Sequence, residues 1–430
     1  MAVYNCARWE WHGMLLRFRA ANVRSLRDEQ ELSFVVPSGE ESDSARTVEL
    51  SGGKTLQVYP LVGVFGANAS GKSNVIAALK KMREAVLGSY AQWTSRQGIP
   101  RDAFSLDPKA AAETTFYEVD FVMPDGVRWT YGFELSDERV EAEWLHSYPK
   151  GRRQVWLDRD ATRQEVFAFP GERIQDRALL IRSTRPDALL LSRAANDNHP
   201  QLTEIYNWFK QNLWDINPEL ERQEREGYTA EQLLDDRFKE RIEGLLRVAD
   251  LGISGAVVEH RLGEHPRVRL LHEGGESGPV PLDWQHESFG TRSWFALIGP
   301  LLRALDDGAV LLIDELDASL HPRFAAEVVR LFQAHWSNQR AAQLVFTSHD
   351  PSLLSTPRGG RLLEPGQIWL TEKNQRGATE LYPLSDVRPG GEENLTDSYL
   401  AGAFGAVPRM TEGQIGRRLL PESVSEEEQG

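Results

Sequence analysis

The sequence predicts an α/β fold that combines a mixed sheet, an antiparallel β meander and a helical lobe. In the last third of the chain a strand, a helix and a second strand follow one another, which implies a parallel sheet with a helical crossover. Between positions 114 and 169, apolar and polar side chains alternate around a hairpin turn, as is typical of antiparallel strands. Residues 201–250 change to the spacing of helices.

Composition limits the class of protein and its location. The chain has 430 residues, of which 40% are hydrophobic, so it can bury a large core and should divide into two or three lobes. Its single cysteine, Cys6, excludes an intramolecular disulfide, which suits a reducing compartment. We find neither an apolar run of membrane-spanning length nor a signal peptide, and therefore expect a cytoplasmic protein without a membrane partner.

The net charge of −15 argues against a generally basic surface for nucleic acid. Any contact with DNA is therefore expected to be local or to go through a partner. Candidates for a local basic face are 150-KGRR-153, Arg182 and Arg185. An ordinary solvated surface is the favoured alternative, since scattered charge is normal on protein surfaces.

The first third predicts strands and a glycine-rich loop. Residues 14–23 alternate like a half-buried strand, and 61-LVGVF-65 is typical of a buried parallel strand. The segment 66-GANASGKSN-74 follows directly, and apolar residues then recur at helical spacing at Val75, Ile76, Leu79, Met82 and Val86. In such a loop backbone N–H groups converge on phosphates, a lysine reaches the outer phosphates and a hydroxyl meets magnesium. A loop between a strand and a helix therefore predicts a phosphate site.

The middle of the chain predicts the meander and the helical lobe. We expect strands at 115–122, 127–135, 139–148, 154–158 and 164–169, the first two joined by the turn 123-MPDG-126. Within the helical lobe, the Glu/Arg-rich stretch 219–227 is expected to be a solvated helix or a loop.

The last third predicts two parallel strands, 309-AVLLI-313 and 343-QLVFTS-348. The helix between them has Pro322 in its first turn and an apolar face made of Phe324, Val328, Leu331, Phe332 and Trp336.

Ionisable residues follow both of these strands, at the edge where open α/β sheets bind ligands. Asp314 would hold Mg²⁺ together with Ser73, and Glu315 would polarise the attacking water. His349 would contact the γ-phosphate or the water. The alternative is structural, with two acids at a helix start stabilised by the helix dipole and a histidine without a functional role.

Another helix start, 288-SFGT-291, precedes the acid pair. Ser288 and Gly290 can form a simple N-cap. They can also form a second anion site from a hydroxyl, backbone N–H groups and a helix dipole. Because the chain already has one phosphate loop, the second site makes sense if it serves the nucleotide of another subunit.

The order of these features resembles that of ABC-type ATPases of the SMC and RecF kind, whose heads carry phosphate loop, signature helix, acid pair and switch histidine in this order. More narrowly, the chain is similar to stand-alone ATPase subunits of bacterial anti-phage and abortive-infection systems, including Septu, PARIS and the abortive-infection L type. The likeness spans about residues 14–408 and rests on GANASGKSN, ESFGTRSWFAL, LLIDELDASLHP, VFTSHD and YLAGAFGAVP. It implies a P-loop NTPase with an ABC-type head and a large inserted lobe.

The resemblance also implies residue roles. Lys72 would act on the β- and γ-phosphates, Glu315 on the water, and His349 as the switch. Ser73 and Asp314 would hold the magnesium. The loop would contact the nucleotide through Gly66, Asn68, Ser70, Gly71, Lys72, Ser73 and Asn74. The remaining matches are Asp317, in the loop that crosses the dimer interface, and Ser288 with Gly290, in the signature that contacts ATP on the opposite subunit.

Two departures from the family pattern concern the signature and the loop. The signature lacks the string Leu-Ser-Gly-Gly-Gln, and Ala69 stands where many relatives have glycine. The glutamine loop that senses magnesium in ABC proteins has no identifiable position.

The resemblance implies a function for the whole chain. It would bind ATP and Mg²⁺, form a homodimer or higher oligomer around ATP, and gate an effector, expected to be a nuclease, in anti-phage defence. No Asp-x-Asp follows His349, so a partner would have to cut. Two alternatives remain, a RecF-like repair clamp that binds DNA and a nucleotide-dependent scaffold with incidental hydrolysis.

The expected domain boundaries follow from these assignments. They are an N-terminal extension (1–13), the N-terminal half of the ATPase head (14–200), a helical lobe (201–260), the C-terminal half of the head (261–408) and an acidic disordered tail (409–430).

Overall fold

The computed structural model describes residues 13–93, 98–171, 173–216, 222–249, 252–259, 266–274, 278–318, 320–356, 360–390, 394–408 and 414. The expected N-terminal extension, apart from Gly13, and the expected acidic tail, apart from Gln414, lie outside these residues. No helix within the described ranges has the length and apolar character needed to cross a bilayer.

The strands are β1 (Met14–Ala21), β2 (Gln30–Ser33), β3 (Arg46–Glu49), β4 (Thr55–Val58), β5 (Leu61–Gly66), β6 (Thr115–Val122), β7 (Arg128–Leu135), β8 (Val140–Ser147), β9 (Gln154–Asp160), β10 (Phe167–Ala168), β11 (Leu213–Ile216), β12 (Ile253–Glu259), β13 (Arg267–His272), β14 (Val280–Leu282), β15 (Val310–Ile313), β16 (Gln343–Ser348), β17 (Ile368–Lys373) and β18 (Thr379–Pro383). The helices are α1 (Lys72–Gln92), α2 (Pro108–Ala112), α3 (Arg177–Ser183), α4 (Leu190–Asn196), α5 (Leu202–Asn212), α6 (Arg222–Gln232), α7 (Asp236–Ala249), α8 (Phe289–Asp307), α9 (Pro322–Gln333) and α10 (Leu395–Leu400).

The predicted antiparallel meander is confirmed. Seven strands lie in the order β10-β9-β8-β7-β6-β1-β2, and each pair is antiparallel. The turn between β6 and β7 is closed by hydrogen bonds from the Met123 N–H to the Val127 carbonyl (3.0 Å) and from the Gly126 N–H to the Met123 carbonyl (2.9 Å). Gly126 has φ 77°, a left-handed conformation that glycine adopts without strain.

The predicted mixed sheet is also confirmed, and it carries the strand of the glycine loop. Its order is β11-β15-β16-β5-β17-β18, in which β18 is antiparallel to β17 and all other pairs are parallel. The helical spacing of residues 201–250 does not anticipate β11, a four-residue strand directly after α5. So short an apolar run carries no period that separates a strand from a helix.

The parallel strands are buried on both faces, which explains their uninterrupted apolar sequences. The core shared with the antiparallel sheet and α1 receives Val62, Val64, Val310, Leu312 and Val345. The core shared with α8 and α9 receives Leu61, Phe65, Leu311, Ile313, Leu344 and Phe346. Each fully buried aliphatic side chain contributes about 1.5–3 kcal/mol, so these strands form a rigid base for the residues at their carboxyl ends.

Of the stretch 219–227, expected as a solvated helix or loop, residues 219–221 lie outside the described residues and residues 222–227 form the start of α6. Within α6, Arg225, Thr229 and Ala230 are buried. The Thr229 hydroxyl accepts a hydrogen bond from the Gly299 N–H at 3.2 Å, which ties α6 to α8.

The expectation for Trp336 is wrong. Helix α9 ends at Gln333, and Trp336 is 78% exposed. The Asn338 side chain donates to the Phe332 carbonyl at 2.8 Å, and the Arg46 guanidinium donates to the Gln333 carbonyl at 3.1 Å. Because these side chains bond the last helical carbonyls, the helix ends three residues before Trp336, which is the last residue of the apolar spacing.

Gln343 connects the two large sheets. Its side-chain carbonyl accepts from the Leu15 N–H at 2.7 Å, and its amide nitrogen donates to the Leu15 carbonyl at 2.9 Å. Both residues are almost fully buried, at 1% and 0% exposed. The start of β16 is therefore fixed to β1 by a reciprocal pair of hydrogen bonds.

Replacing this amide is expected to destabilise the fold. Gln343→Leu leaves a buried N–H and a buried carbonyl of Leu15 without partners, which should lower the free energy of unfolding by about 2–4 kcal/mol. Urea unfolding followed by circular dichroism measures the change. The control is Gln57→Leu, on an exposed side chain of β4, where a change of at most about 0.5 kcal/mol is expected. Equal stabilities for the two variants would contradict the connection.

Candidate functional site

The glycine loop joins β5 to α1 in a conformation that only a small residue can adopt at its end. Gly71, which precedes the first helical residue Lys72, has φ 112°. A Cβ atom at this position would overlap the Thr379 hydroxyl. Ala69 has φ 64°, a left-handed conformation that costs an L residue about 1–2 kcal/mol. The departure at Ala69 is therefore accommodated, although with strain.

Hydroxyl groups from distant parts of the chain hold the loop. Thr379 donates to the Ser70 carbonyl at 2.8 Å, so its oxygen accepts from the Ser25 hydroxyl at 2.7 Å. Ser25 in turn accepts from the Asn74 amide at 2.6 Å, and the hydroxyls of Ser70 and Thr371 are 2.6 Å apart. We did not predict Ser25, Thr371 or Thr379, since nothing in their local sequence connects them to the loop.

Lys72 lies over the loop. Its ammonium donates to the carbonyls of Gly66 (2.9 Å) and Ala67 (3.1 Å), and the residue is only 7% exposed. Burial lowers the pKa of the Lys72 ammonium, although the nearby negative charges of Glu315, Asp317 and Asp314 act to raise it. The structure thus brings the predicted phosphate lysine and the predicted acids into electrostatic contact.

The acid pair lies at the shared carboxyl edge of three neighbouring strands. Asp314 follows β15, which is adjacent to β16, and β16 is adjacent to the loop strand β5. The Thr347 hydroxyl donates to Asp314 Oδ1 at 2.7 Å and accepts from the Glu315 N–H at 2.7 Å. Glu315 has φ 56°, an uncommon conformation for a residue other than glycine. Thr347 was not predicted as part of the site.

His349 and Asp317 form a close pair within one chain. His349 Nδ1 lies 2.9 Å from Asp317 Oδ2, with side-chain exposures of 55% and 5%. Neither Asp317 oxygen accepts a hydrogen bond of good geometry from any described group, His349 included, so the contact is a close approach of two ionisable groups. A proton on Nδ1 makes this contact favourable and leaves Nε2 of a neutral ring as an acceptor. The histidine predicted as the switch therefore lies next to the residue predicted for the dimer loop, within one chain.

Ser288 is the N-cap of α8, which is the structural role named above as the alternative to an anion site. Its hydroxyl accepts from the Thr291 N–H at 3.0 Å and lies 2.8 Å from the Thr291 hydroxyl. Ser288, Phe289 and Gly290 are exposed, and the Arg222 guanidinium lies 4.6 Å from the centre of the Phe289 ring. Across the described residues, no hydrogen bond or ion pair joins this helix start to the glycine loop of the same chain.

The first turns of α8 nevertheless lie beside the segment after β15. Ser293 and Leu297 line a small cavity together with Ile313, Leu316 and Leu320. Helix α8 therefore packs next to the segment that follows the acid pair.

The donor set near the loop suits magnesium held partly by phosphate. In the portion of the chain that the structure describes, no group of three or more His, Cys, Asp or Glu side chains is placed to hold a metal ion. Mg²⁺ typically takes one or two carboxylates and completes its shell with substrate phosphates and water. Asp314 and Ser73 fit that requirement, provided that a nucleotide supplies the remaining oxygens.

The candidate basic face is partly engaged. Arg185 forms an ion pair with Asp187 at 3.0 Å and lies 4.9 Å from the centre of the Tyr90 ring. Arg182 and residues 150–153 are exposed. Within this candidate face, Arg182 and the basic residues of 150–153 are therefore the positions open to an anionic partner.

A family model matches the part of the chain that contains this site. The family model described as "AAA domain, putative AbiEii toxin, Type IV TA system", AAA_21, matches residues 61–355. The match begins with β5 and ends six residues after His349, so it includes the loop, the helix start, the acid pair and the histidine. No curated protein matches the chain.

Solved structures with similarity to the chain include heads of SMC proteins and RecF. The SMC head domain from Thermotoga maritima is 11% identical with a TM-score of 0.40, over 86% of this chain and 98% of that chain. The Smc head domain from Pyrococcus furiosus, bound to the C-terminal domain of ScpA, is 13% identical with a TM-score of 0.40, over 88% and 100%. The recombination mediator protein RecF with ATP is 12% identical with a TM-score of 0.38, over 87% and 99%.

Proposed function

The chain belongs to the AAA_21 family of AAA domains, and we propose that it binds and hydrolyses ATP between two copies of itself. The observation that carries the proposal is geometric: Lys72 follows the loop at the end of β5, and Asp314 and Glu315 follow β15, which is separated from β5 by the single parallel strand β16. A lysine on a phosphate loop and acids at the same edge of a parallel sheet recur in P-loop NTPases, which transfer a phosphoryl group to water.

Each of the residues at the carboxyl edge of the parallel strands has one role in the proposed reaction. The loop N–H groups and Lys72 hold the β- and γ-phosphates. Ser73 and Asp314 hold Mg²⁺, which when bound neutralises charge on the phosphate oxygens. Glu315 orients the attacking water, and His349, held by Asp317, contacts the γ-phosphate or that water. Most of the rate enhancement then comes from positioning and charge stabilisation.

The exposed start of α8 completes the site of a second copy. Its N-terminal N–H groups and dipole favour an anion. When the Thr291 hydroxyl donates to Ser288, the Ser288 proton is available for a phosphate oxygen. Gly290 has no Cβ, and the position that a Cβ would take lies 3.8 Å from the Ser288 hydroxyl, so a phosphate can approach the backbone beside that hydroxyl. We therefore propose that Ser288 and Gly290 contact ATP bound to the partner's loop, with the segment that contains Asp317 at the interface.

We further propose that the nucleotide state gates an effector, expected to be a nuclease, in anti-phage defence. What supports this part of the proposal is the family description, which names a putative AbiEii toxin of a Type IV TA system. The complex isolated from cells that carry the native operon should contain a nuclease, identified by mass spectrometry. Recovery of the chain alone, with DNA affinity that falls steeply with salt, would favour a repair clamp instead.

ATP turnover and particle mass test the biochemical core of the proposal. With ATP and Mg²⁺ the purified chain should release phosphate, and its mass by light scattering should double from that of the monomer while a slowly hydrolysed analogue is bound. A chain that neither releases phosphate nor changes mass would contradict the proposal.

A further inference from the structure

Thr347 is a buried residue next to the acid pair, and the proposed reaction gives it no role. It is 0% exposed and is the penultimate residue of β16. Its hydroxyl lies 2.7 Å from Asp314 Oδ1 and 2.7 Å from the Glu315 nitrogen. Its backbone carbonyl accepts from the Leu316 N–H at 3.0 Å. One threonine therefore contacts three consecutive residues after β15.

The direction of both side-chain bonds follows from counting protons. The hydroxyl has a single proton, an ionised carboxylate only accepts, and an N–H only donates. The Thr347 proton must therefore point to Asp314 Oδ1, and a Thr347 lone pair receives the Glu315 N–H. A hydrogen bond to a carboxylate is charge-assisted and stronger than a neutral one, so it restrains rotation of the Asp314 carboxylate.

The same bonds maintain an unfavourable backbone conformation. At φ 56°, Glu315 is in the left-handed region, which costs an L residue about 1–2 kcal/mol. Such strain persists where the surrounding structure enforces it, often at functional sites. Here the bonds that the N–H groups of Glu315 and Leu316 donate to Thr347 enforce the strained conformation. The direction of the Glu315 side chain therefore depends on Thr347.

We propose that Thr347 is a positioning residue, whose hydroxyl orients the Asp314 carboxylate toward the metal and holds Glu315 in the turn that directs its carboxylate to the nucleotide. The proposal rests on the function proposed above. Its specific content is that the hydroxyl, and not the bulk or branching of the side chain, sets metal affinity and hydrolysis.

Two substitutions separate the hydroxyl from the shape of the side chain. Thr347→Val keeps the volume and the β-branch but removes both bonds, whereas Thr347→Ser keeps the hydroxyl. Loss of a group that orients a metal ligand typically costs 10- to 100-fold in affinity or activity. We therefore expect Thr347→Val to lower kcat about 10- to 100-fold and to raise the Mg²⁺ concentration for half-maximal rate about tenfold. Thr347→Ser should stay within about threefold of the unmodified chain.

A binding measurement gives a readout that does not depend on turnover. Mn²⁺ is titrated into the full chain with a non-hydrolysable ATP analogue and followed by electron paramagnetic resonance. Thr347→Val should raise the Mn²⁺ dissociation constant about tenfold, and analogue affinity without metal should not change. The control is Thr115→Val, another buried strand threonine, whose hydroxyl donates to the Asn22 carbonyl at 2.9 Å. Thr115→Val should lose about as much folding stability as Thr347→Val, but its Mn²⁺ dissociation constant should not change.

The possible outcomes distinguish this inference from the proposed function. If the unmodified chain binds the Mn²⁺–analogue complex and turns over ATP, and Thr347→Val does the same with equal constants, the positioning role is wrong and the proposed function stands. If the unmodified chain does neither, the proposed function fails first. Should Thr347→Val not fold, Thr347→Cys, which keeps a side chain of similar size with a weak donor, takes its place with the same expectation.

Discussion

Glu315→Gln is expected to reduce ATP hydrolysis by about 10²- to 10⁴-fold, the usual contribution of a positioned proton-transfer group. The amide retains the size of the side chain and its position after β15 but loses the negative charge that polarises water. Lys72 and the rest of the loop are unchanged, so ATP still binds. The variant should therefore accumulate as an ATP-bound dimer.

Phosphate release and light scattering in the presence of ATP and Mg²⁺ measure both effects. The matched control is Glu327→Gln on the exposed face of α9, where the carboxylate forms an ion pair with Arg330. This control should turn over ATP at the rate of the unmodified chain. Wild-type turnover by Glu315→Gln would show that another group orients the water.

Lys72→Ala is expected to weaken ATP binding by about 100-fold, since two charge-assisted hydrogen bonds at about 1.5–3 kcal/mol each are lost. Part of that energy is offset, because in the described conformation the ammonium already bonds the carbonyls of Gly66 and Ala67. Burial lowers the pKa of the Lys72 ammonium, so folding disfavours the charged form, and this offsets what the two carbonyl bonds contribute to stability. The loss should therefore appear in affinity and not in the melting temperature.

Calorimetric titration with ATP gives the affinity, and a thermal melt of the same sample gives the stability. Lys81→Ala is the control, because Lys81 is on the same helix but pairs with Glu84 and Asp102 near the surface. It should bind ATP like the unmodified chain. Unchanged affinity for Lys72→Ala would mean that the glycine loop does not bind phosphate.

The fold was predictable where one local pattern is strong. Strands β5, β15 and β16 are uninterrupted apolar runs because both of their faces are buried, and β6 and β7 show alternation around a turn. Strand β11 has only four residues and follows α5 directly, so no period marks it. The exposure of Trp336 depends on side chains of Arg46 and Asn338, which end α9. The spacing of apolar residues carries no information about such partners.

The site was predictable to the same extent. The glycine loop carries its chemistry in consecutive residues, and the acids and the histidine directly follow recognisable strands. The hydroxyls that hold these groups come from far away in the sequence, with Thr371 301 positions from Ser70 and Thr379 354 positions from Ser25. Threonine is common in strands for packing reasons alone, so neither these residues nor Thr347 stood out before the structure placed them.

In the proposed dimer, each ATP is bound between the loop of one chain and the helix start of another. Lys72→Ala disables the loop, and Ser288→Arg blocks the helix start, so each homodimer should be inactive. In a mixed dimer one site carries both changes and the other carries neither. In a twofold-symmetric assembly, equal mixing should therefore restore roughly a quarter of wild-type hydrolysis. A mixture no more active than the two variants measured separately would contradict the shared site.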